Sequence, residues 1–212
     1  KIIYGVEGYL VDDLKELVTN PMDKTLDDGF IVFDIETTGF SAKNDAITEI
    51  GAVKVVKGEI VDRFSTFVNP RRPIPFKIEE LTHINDAMVM NAPVIEDILP
   101  DFLDFCEDYI IVAHNAGFDT GFIRENAKRI NREYNPSIID TVAMARLLLP
   151  DLNRFKLDTV CKALNISLEG HHRAVNDAEA TAQIWVEFIR RLKNRGLSKL
   201  SEVASLGETN AD

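Results

Sequence analysis

Two acidic residues interrupt a strongly apolar segment early in the chain. Residues 30–39 have the sequence Phe-Ile-Val-Phe-Asp-Ile-Glu-Thr-Thr-Gly, with Asp34 and Glu36 two positions apart. β-Branched and aromatic residues before a glycine turn predict a buried strand, and side chains two apart on a strand share a face. The repulsion between the two carboxylates favours a divalent cation beside them. The alternative is a solvated strand end, since the same Asp-x-Glu pattern recurs at Asp177 and Glu179.

Composition and charge restrict the class of protein. A chain of 212 residues with 45% hydrophobic content can bury one sizeable core. It has no run of about 20 apolar residues and no signal-like start, so we expect a cytoplasmic protein without a membrane partner. Cys106 and Cys161 lack metal-ligand spacing and indicate core residues in a reducing compartment. The net charge of -11 argues against a general duplex-DNA binder, but not against an enzyme that holds nucleotides through metal ions.

Hydrophobic periodicity predicts an α/β domain with a mixed sheet. Strands are predicted at 30–35, 46–56, 60–68, 109–113 and 137–140, and helices at 78–81, 86–90, 141–149, 157–164 and 174–192, with two more opening near Pro93 and after Asn115. We expect residues 1–28 to be a lead-in, 29–195 the domain and 196–212 a polar, frayed tail. Because the chain begins at Lys1, we also expect it to be a piece of a longer polypeptide.

Two further acids occupy comparable positions. Asp119 ends the sequence His-Asn-Ala-Gly-Phe-Asp just after a predicted strand, and Asp177 lies near the start of the last long helix. Either could be a first-turn acid that the helix dipole favours. Together with Asp34 and Glu36, they could instead hold two Mg2+ ions about 3.5–4 Å apart, the separation used for in-line phosphoryl displacement.

A histidine precedes the last of these acids. His172 stands five residues before Asp177, in the predicted loop that enters the helix. Histidine titrates near neutral pH, so His172 could take a proton from an attacking water. An ordinary surface histidine is the alternative, and the adjacent His171 is chemically equivalent.

Three segments in this order resemble the exonuclease motifs of the DEDDh group of 3′–5′ exonucleases. They are Asp-Ile-Glu-Thr-Thr-Gly at 34–39, His-Asn-Ala-Gly-Phe-Asp at 114–119 and His-Arg-Ala-Val-Asn-Asp at 172–177. The resemblance implies a ribonuclease H-like fold, with a mixed five-stranded sheet whose second strand is antiparallel, flanked by helices. Residues 3–7 and 10–13 also look like the segment that precedes the proofreading exonuclease in PolC-type DNA polymerase III α subunits.

The resemblance assigns roles to individual residues. It implies that two divalent ions, Mg2+ with Mn2+ able to substitute, have as ligands Asp34, Glu36, Asp119 and Asp177. It implies that His172 is the general base, because the family places its histidine five residues before the last aspartate. The implied substrate contacts are Thr37 and Thr38, partly through backbone amides, together with Leu81, Ile84, Asn115 and Phe118.

Some of these contacts have open alternatives. Many family members have glycine where this chain has His83, next to the segment that would meet the 3′-terminal base. Core packing is the alternative for Leu81, Ile84 and Phe118. Basic residues in the neighbouring loop either contact the incoming nucleic-acid strand or are simply solvated. They are Arg71, Arg72 and Lys77.

The implied function is a metal-dependent 3′–5′ exonuclease that removes nucleoside 5′-monophosphates from single-stranded or mismatched DNA 3′ ends. It would proofread during replication, with the rest of a DNA polymerase III polypeptide and the replisome as partners. One alternative is an RNA 3′-end exonuclease of the same fold. The other is a non-catalytic module that binds nucleic acid or a subunit.

Overall fold

The computed structural model describes residues 16–170 and 172–209. The flanking segments at 3–7 and 10–13, and His171, lie outside these residues, so the interpretations placed on them stay predictions.

In the described part of the chain, six strands form one mixed sheet in the order β1-β6-β5-β2-β3-β4. They are β1 (Val18–Thr19), β2 (Phe30–Thr37), β3 (Ile47–Val56), β4 (Glu59–Phe67), β5 (Ile110–Ala113) and β6 (Ile138–Asp140). β3 is antiparallel to β2 and to β4, whereas β5 is parallel to β2 and β6. The predicted count of five strands is corrected to six, because Val18 and Thr19 of the expected lead-in pair with β6.

Helices flank this sheet. They are α1 (Phe76–Thr82), α2 (Asp86–Val89), α3 (Ile95–Cys106), α4 (Ala116–Arg129), α5 (Thr141–Leu148), α6 (Leu157–Ala163), α7 (Ala174–Asn194) and α8 (Leu200–Thr209). Apart from α8, each lies within a few residues of a predicted helix. None of the helices within 16–170 and 172–209 combines the length and the apolar character needed to cross a membrane.

The two faces of β2 pack into different parts of the core. Phe30 meets Trp185 of α7 edge-on, with ring centroids 6.3 Å apart, and Phe33 packs on Phe102 of α3 at 5.4 Å. Because strand side chains alternate between faces, the even-numbered residues of β2 face α7. The two acids of β2 are therefore directed to the side of the sheet that α7 covers.

The start of α7 lies directly on the backbone of β3 at Gly51. A Cβ atom at Gly51 would be 2.1 Å from the amide nitrogen of Val175 and 2.3 Å from the carbonyl carbon of Ala174. Such distances leave no room for a side chain, so the approach of α7 to the sheet requires glycine here.

The flanks of the predicted domain pack on each other. The expectation of a frayed tail is wrong for residues 200–209, which form α8 with Leu200 and Val203 fully buried. These apolar positions are three apart, a helical spacing that the polar composition of the tail obscured. The tail meets the lead-in where the Leu26 amide donates to the Ser198 carbonyl at 2.8 Å.

Gly51→Ala should lower the free energy of unfolding by about 1–3 kcal/mol, because the added methyl group overlaps the backbone of α7. Urea denaturation followed by circular dichroism measures this loss. Gly121→Ala in α4 is the matched control, since its Cβ would meet no atom within 4 Å apart from the neighbouring backbone of its own helix. It should be neutral or stabilising by about 0.5–1 kcal/mol. Equal stability of the two variants would contradict the close packing at Gly51.

Candidate active site

Three carboxylates from distant parts of the sequence converge at the carboxyl end of β2. Asp34 and Glu36 of β2 and Asp177 of α7 each offer an oxygen, and these oxygens all lie within 4.8 Å of one another. Asp34 and Glu36 are partly buried and Asp177 is only 6% exposed. Oxygen atoms at this separation can share a hard divalent cation such as Mg2+ or Mn2+.

Asp119 reaches the same strand end from the other side of the sheet. It lies in the first turn of α4, is 3% exposed, and its Oδ1 accepts a hydrogen bond from the Ile35 amide at 3.1 Å. Within the described residues, it lies outside the group of three close oxygens. Its charge nevertheless helps to raise the pKa of the Asp34 carboxyl. All four acids singled out in the sequence therefore meet at the end of β2.

The electrostatics of this cluster oppose full ionisation. Burial, and then the charges of Asp119 and Glu36, raise the pKa of Asp34 well above its usual range. Burial, followed by the charges of Asp177 and Glu49, raises the pKa of Glu36 to about 8. Burial also raises the pKa of Asp119 to about 8, although backbone amides oppose the shift. A cation would relieve this repulsion, so the donor set fits divalent metal ions.

His172 stands at the entrance to α7, as predicted. It is partly buried and has a φ of 75°. Its ring contacts that of His83, with centroids 5.3 Å apart and nearly perpendicular planes. His83 ends α1 with a φ of 59°, in the left-handed region that glycine adopts without cost. Glycine, which the resemblance leads us to expect here in many family members, would adopt that conformation without strain.

The two threonines after the acids are engaged within the protein. Thr37 Oγ1 donates to the Gly39 carbonyl at 2.6 Å. The Thr38 amide donates to the Ala46 carbonyl at 2.8 Å, and Thr38 Oγ1 accepts from the Ala46 amide at 3.0 Å. The Thr38 amide is thus already bonded within the protein, and the nucleotide contacts of Thr37 and Thr38 stay predictions. Both residues shape the turn that follows β2.

The apolar segment after α1 divides into a buried and an exposed residue. Ile84 is fully buried against Ile74 and Val89. It therefore has no surface to offer a terminal base, and the alternative of core packing holds. Leu81 is 53% exposed, so its side chain has surface to offer such a base.

An aromatic row lies beside the acids. Phe118 is half-buried, with its ring centroid 5.1 Å from that of Phe122 and 6.5 Å from that of Phe40. Phe40 is 76% exposed and was not among the predicted contacts. Its position directly after the Thr-Thr-Gly turn is the signal that could have identified it. Asn115 is exposed at the start of α4, where its amide donates to Asp140 Oδ1 at 3.2 Å.

The basic residues of the loop before α1 are mostly tied to protein groups. Arg71 pairs with Glu96 at 3.3 Å, and Arg72 donates to the Asn44 carbonyl. Lys77 is exposed. For the two arginines, these contacts favour a structural role in the loop.

Sequence reasoning missed a further acid close to the four at the end of β2. Glu49 is fully buried on β3, opposite Glu36 of β2, and its Oε1 accepts from Arg173 Nε at 3.0 Å. The available signal was an acid inside a predicted strand whose next four residues, 50–53, are apolar or glycine, which is unusual unless the acid is paired.

Known proteins resemble most of this chain. The model of the RNase_T family, described as exonuclease, matches residues 31–185. The PolC-type DNA polymerase III of Clostridium perfringens is 50% identical over 208 residues, which is 98% of this chain and 14% of that protein. The corresponding protein of Bacillus subtilis is 41% identical over 216 residues, covering 100% of this chain and 15% of its own length. The chain thus spans about one seventh of these curated relatives.

Solved structures share the fold. Exonuclease X in complex with 5′ overhanging duplex DNA is 30% identical, with a TM-score of 0.63 over 76% of this chain and 92% of that one. The nuclease domain of 3′hExo, a DEDDh family member bound to rAMP, has a TM-score of 0.67 at 19% identity, over 77% and 92% of the two chains. These likenesses confirm the ribonuclease H-like fold. The acid-lined end of β2 therefore lies in a chain that belongs to the RNase_T family of exonucleases.

Proposed function

We propose that this chain is the 3′–5′ exonuclease of a PolC-type DNA polymerase III. It would remove nucleoside 5′-monophosphates from single-stranded or mismatched DNA 3′ ends during replication in the cytoplasm. The observation that carries the proposal is the convergence of Asp34, Glu36 and Asp177, with Asp119 beside them. Family membership supports the class of reaction, and relatives named as PolC-type polymerases support the setting.

The four acids would hold two divalent cations, Mg2+ with Mn2+ as a substitute. Bound there, such ions supply Lewis-acid stabilisation of charge on the phosphate and make water more acidic. The protein's own contribution is the fixed position of its carboxylates. Asp119 is held by the backbone of β2, and Asp177 by the first turn of α7.

His172 takes a proton from the water that attacks the terminal phosphodiester. The water oxygen forms a bond to phosphorus as the bond from phosphorus to the 3′ oxygen breaks. That oxygen gains a proton and becomes the new 3′-hydroxyl end, while the released nucleotide keeps its 5′-phosphate.

Apolar side chains that are exposed or half-buried would receive the last bases of the strand. Phe40, Phe118 and Leu81 offer such surfaces, and stacking on aromatic rings tolerates any base sequence. A correctly paired terminus must first be unpaired at a cost in free energy, whereas a mismatched one has already lost pairing. This difference would make mismatched ends the preferred substrate.

Digestion of a 5′-labelled single-stranded DNA tests the function. With Mg2+, the label should remain on products that shorten stepwise from the 3′ end, and a chelator should stop the reaction. Asp34→Ala should lose activity while keeping its circular dichroism spectrum, because a cation ligand is removed. Glu179→Ala, which removes a more exposed carboxylate on α7, is the matched control and should stay active. Cleavage that survives chelation contradicts the proposal, and faster cleavage of the matching RNA favours the RNA exonuclease.

His172→Ala should lower kcat by roughly 10^2–10^4-fold with little change in KM, because general acid–base catalysis contributes about that factor. Single-turnover rates with excess enzyme measure the step. His83→Ala is the control, since it removes the ring that contacts His172 and leaves the proton acceptor in place. If His83→Ala loses the larger factor, the assignment of the base to His172 is wrong.

The raised carboxyl pKa values predict how pH affects metal stabilisation. Carboxyls titrate near pH 4 in the unfolded chain, whereas those of Glu36 and Asp119 have pKa values of about 8 in the folded protein. Between these values the folded state binds more protons, so the metal-free protein loses stability as pH rises from about 4 to about 8. Bound cations offset the repulsion among the ionised carboxylates, so they remove this loss of stability at higher pH.

The increase in Tm on adding Mn2+ should therefore be larger at pH 8 than at pH 6. Scanning fluorimetry at constant ionic strength measures it. Glu36→Gln removes one of the repelling charges and should reduce the dependence on pH. An increase in Tm that is equal at both pH values would show that the cations do not bind at these carboxyls.

A further inference from the structure

A buried acid beside the cluster is bonded to the start of the helix that carries Asp177. Both carboxylate oxygens of Glu49 are occupied there. Oε1 accepts from Arg173 Nε at 3.0 Å, and Oε2 accepts from the Ala174 amide at 3.3 Å. Glu49 is fully buried, whereas about half of the Arg173 side chain is exposed.

These bonds cap α7 from the sheet. Arg173 is the N-cap residue of α7, and its side chain makes no capping hydrogen bond to the helix. The first amides of a helix lack partners within it, and its positive end attracts a carboxylate. The Glu49 carboxylate accepts a hydrogen bond from the Ala174 amide and places a negative charge at the positive end of α7. The Arg173 guanidinium balances that charge.

Two more contacts hold the start of α7 against the sheet. The guanidinium of Arg173 lies over the ring of Phe67, 4.9 Å from its centroid, and Phe67 is paired with Glu49 across β3 and β4. Gly51, two residues along β3 from Glu49, allows the backbone of α7 to touch the strand. The start of α7 is thus fixed by an ion pair, a cation–π contact and backbone packing.

Stabilising the fold does not by itself explain an ion pair between Glu49 and Arg173 so near the acidic cluster. Buried ion pairs often contribute no more than apolar residues of similar volume. The charge of Glu49 also adds to the repulsion at Asp34 and Glu36, which have raised pKa values. A neutral cap would avoid that repulsion, so a role in geometry accounts better for the acid.

We propose that Glu49 and Arg173 are positioning residues that hold His172 and Asp177 in their places for the exonuclease reaction. His172 immediately precedes Arg173, and its left-handed backbone persists only where its surroundings fix it. Asp177 lies one turn later, with its amide bonded to the Arg173 carbonyl at 3.1 Å. The inference rests on the proposed function.

Kinetics on labelled single-stranded DNA test the inference with four variants. Arg173→Ala and Glu49→Gln should each lower kcat by roughly 10–100-fold, as is usual when groups supporting ligands are lost, with KM changed less than kcat. Arg173→Lys should recover part of the loss, because an ammonium can still pair with Glu49. Arg63→Ala is the control, since it breaks a more exposed ion pair between β4 and the same helix, and it should leave kcat unchanged.

The pH profile separates positioning from stability. The wild-type rate should fall at acid pH, because a protonated general base cannot accept a proton from water. That fall should weaken both in His172→Ala, which lacks the acceptor, and in Arg173→Ala, where the acceptor is displaced. Each rate is measured at least 15 degrees below the variant's own Tm. A lower Tm with wild-type kcat and pH profile would overturn the inference.

NMR of the histidine rings tests the inference without any measurement of DNA cleavage. The nuclear Overhauser contact between His172 and His83, whose rings are 5.3 Å apart, should weaken in Arg173→Ala and Glu49→Gln and persist in Arg63→Ala. If the wild-type chain cleaves no DNA, the proposed function fails, and this contact still decides the inference. A contact unchanged in every variant would overturn it.

Discussion

Repulsion among carboxylates withdrawn from water, at the end of β2, is the constraint on which the rest of this structure depends. Burial and mutual charge raise the pKa values of Glu36 and Asp119 to about 8 and that of Asp34 well above its usual range. Protons or cations can relieve this repulsion, but apolar packing cannot. The two cores on either face of the sheet must hold the acids together against it.

Two acids outside the group of Asp34, Glu36 and Asp177 bind the starts of α7 and α4 to the sheet. On one face, Glu49 binds the Ala174 amide at the start of α7, which carries Asp177. From the other direction, Asp140 at the end of β6 accepts from the Asn115 amide at the start of α4, which carries Asp119. The starts of both helices are thus bonded to the sheet, and these bonds help to set the positions of Asp177 and Asp119.

Much of this arrangement could be predicted from local pattern. Alternation and apolar runs located the five longer strands. Motif spacing singled out four acids that the structure brings to the end of β2, whereas the role of His172 stays a prediction. Features that depend on contacts between distant residues could not be predicted. The two-residue strand β1 exists only through its pairing with β6, and α8 only through the core that buries Leu200. Likewise, an apolar residue such as Ile84 can face a base or the core, and sequence does not distinguish the two.

Anomalous diffraction from crystals grown with Mn2+ and a nucleoside 5′-monophosphate tests whether cations bind among the four clustered carboxylates. Two manganese peaks about 3.5–4 Å apart should lie at the end of β2, with ligand oxygens from Asp34, Glu36, Asp119 and Asp177. Peaks at other carboxylates of the protein, with none at this strand end, would contradict this prediction.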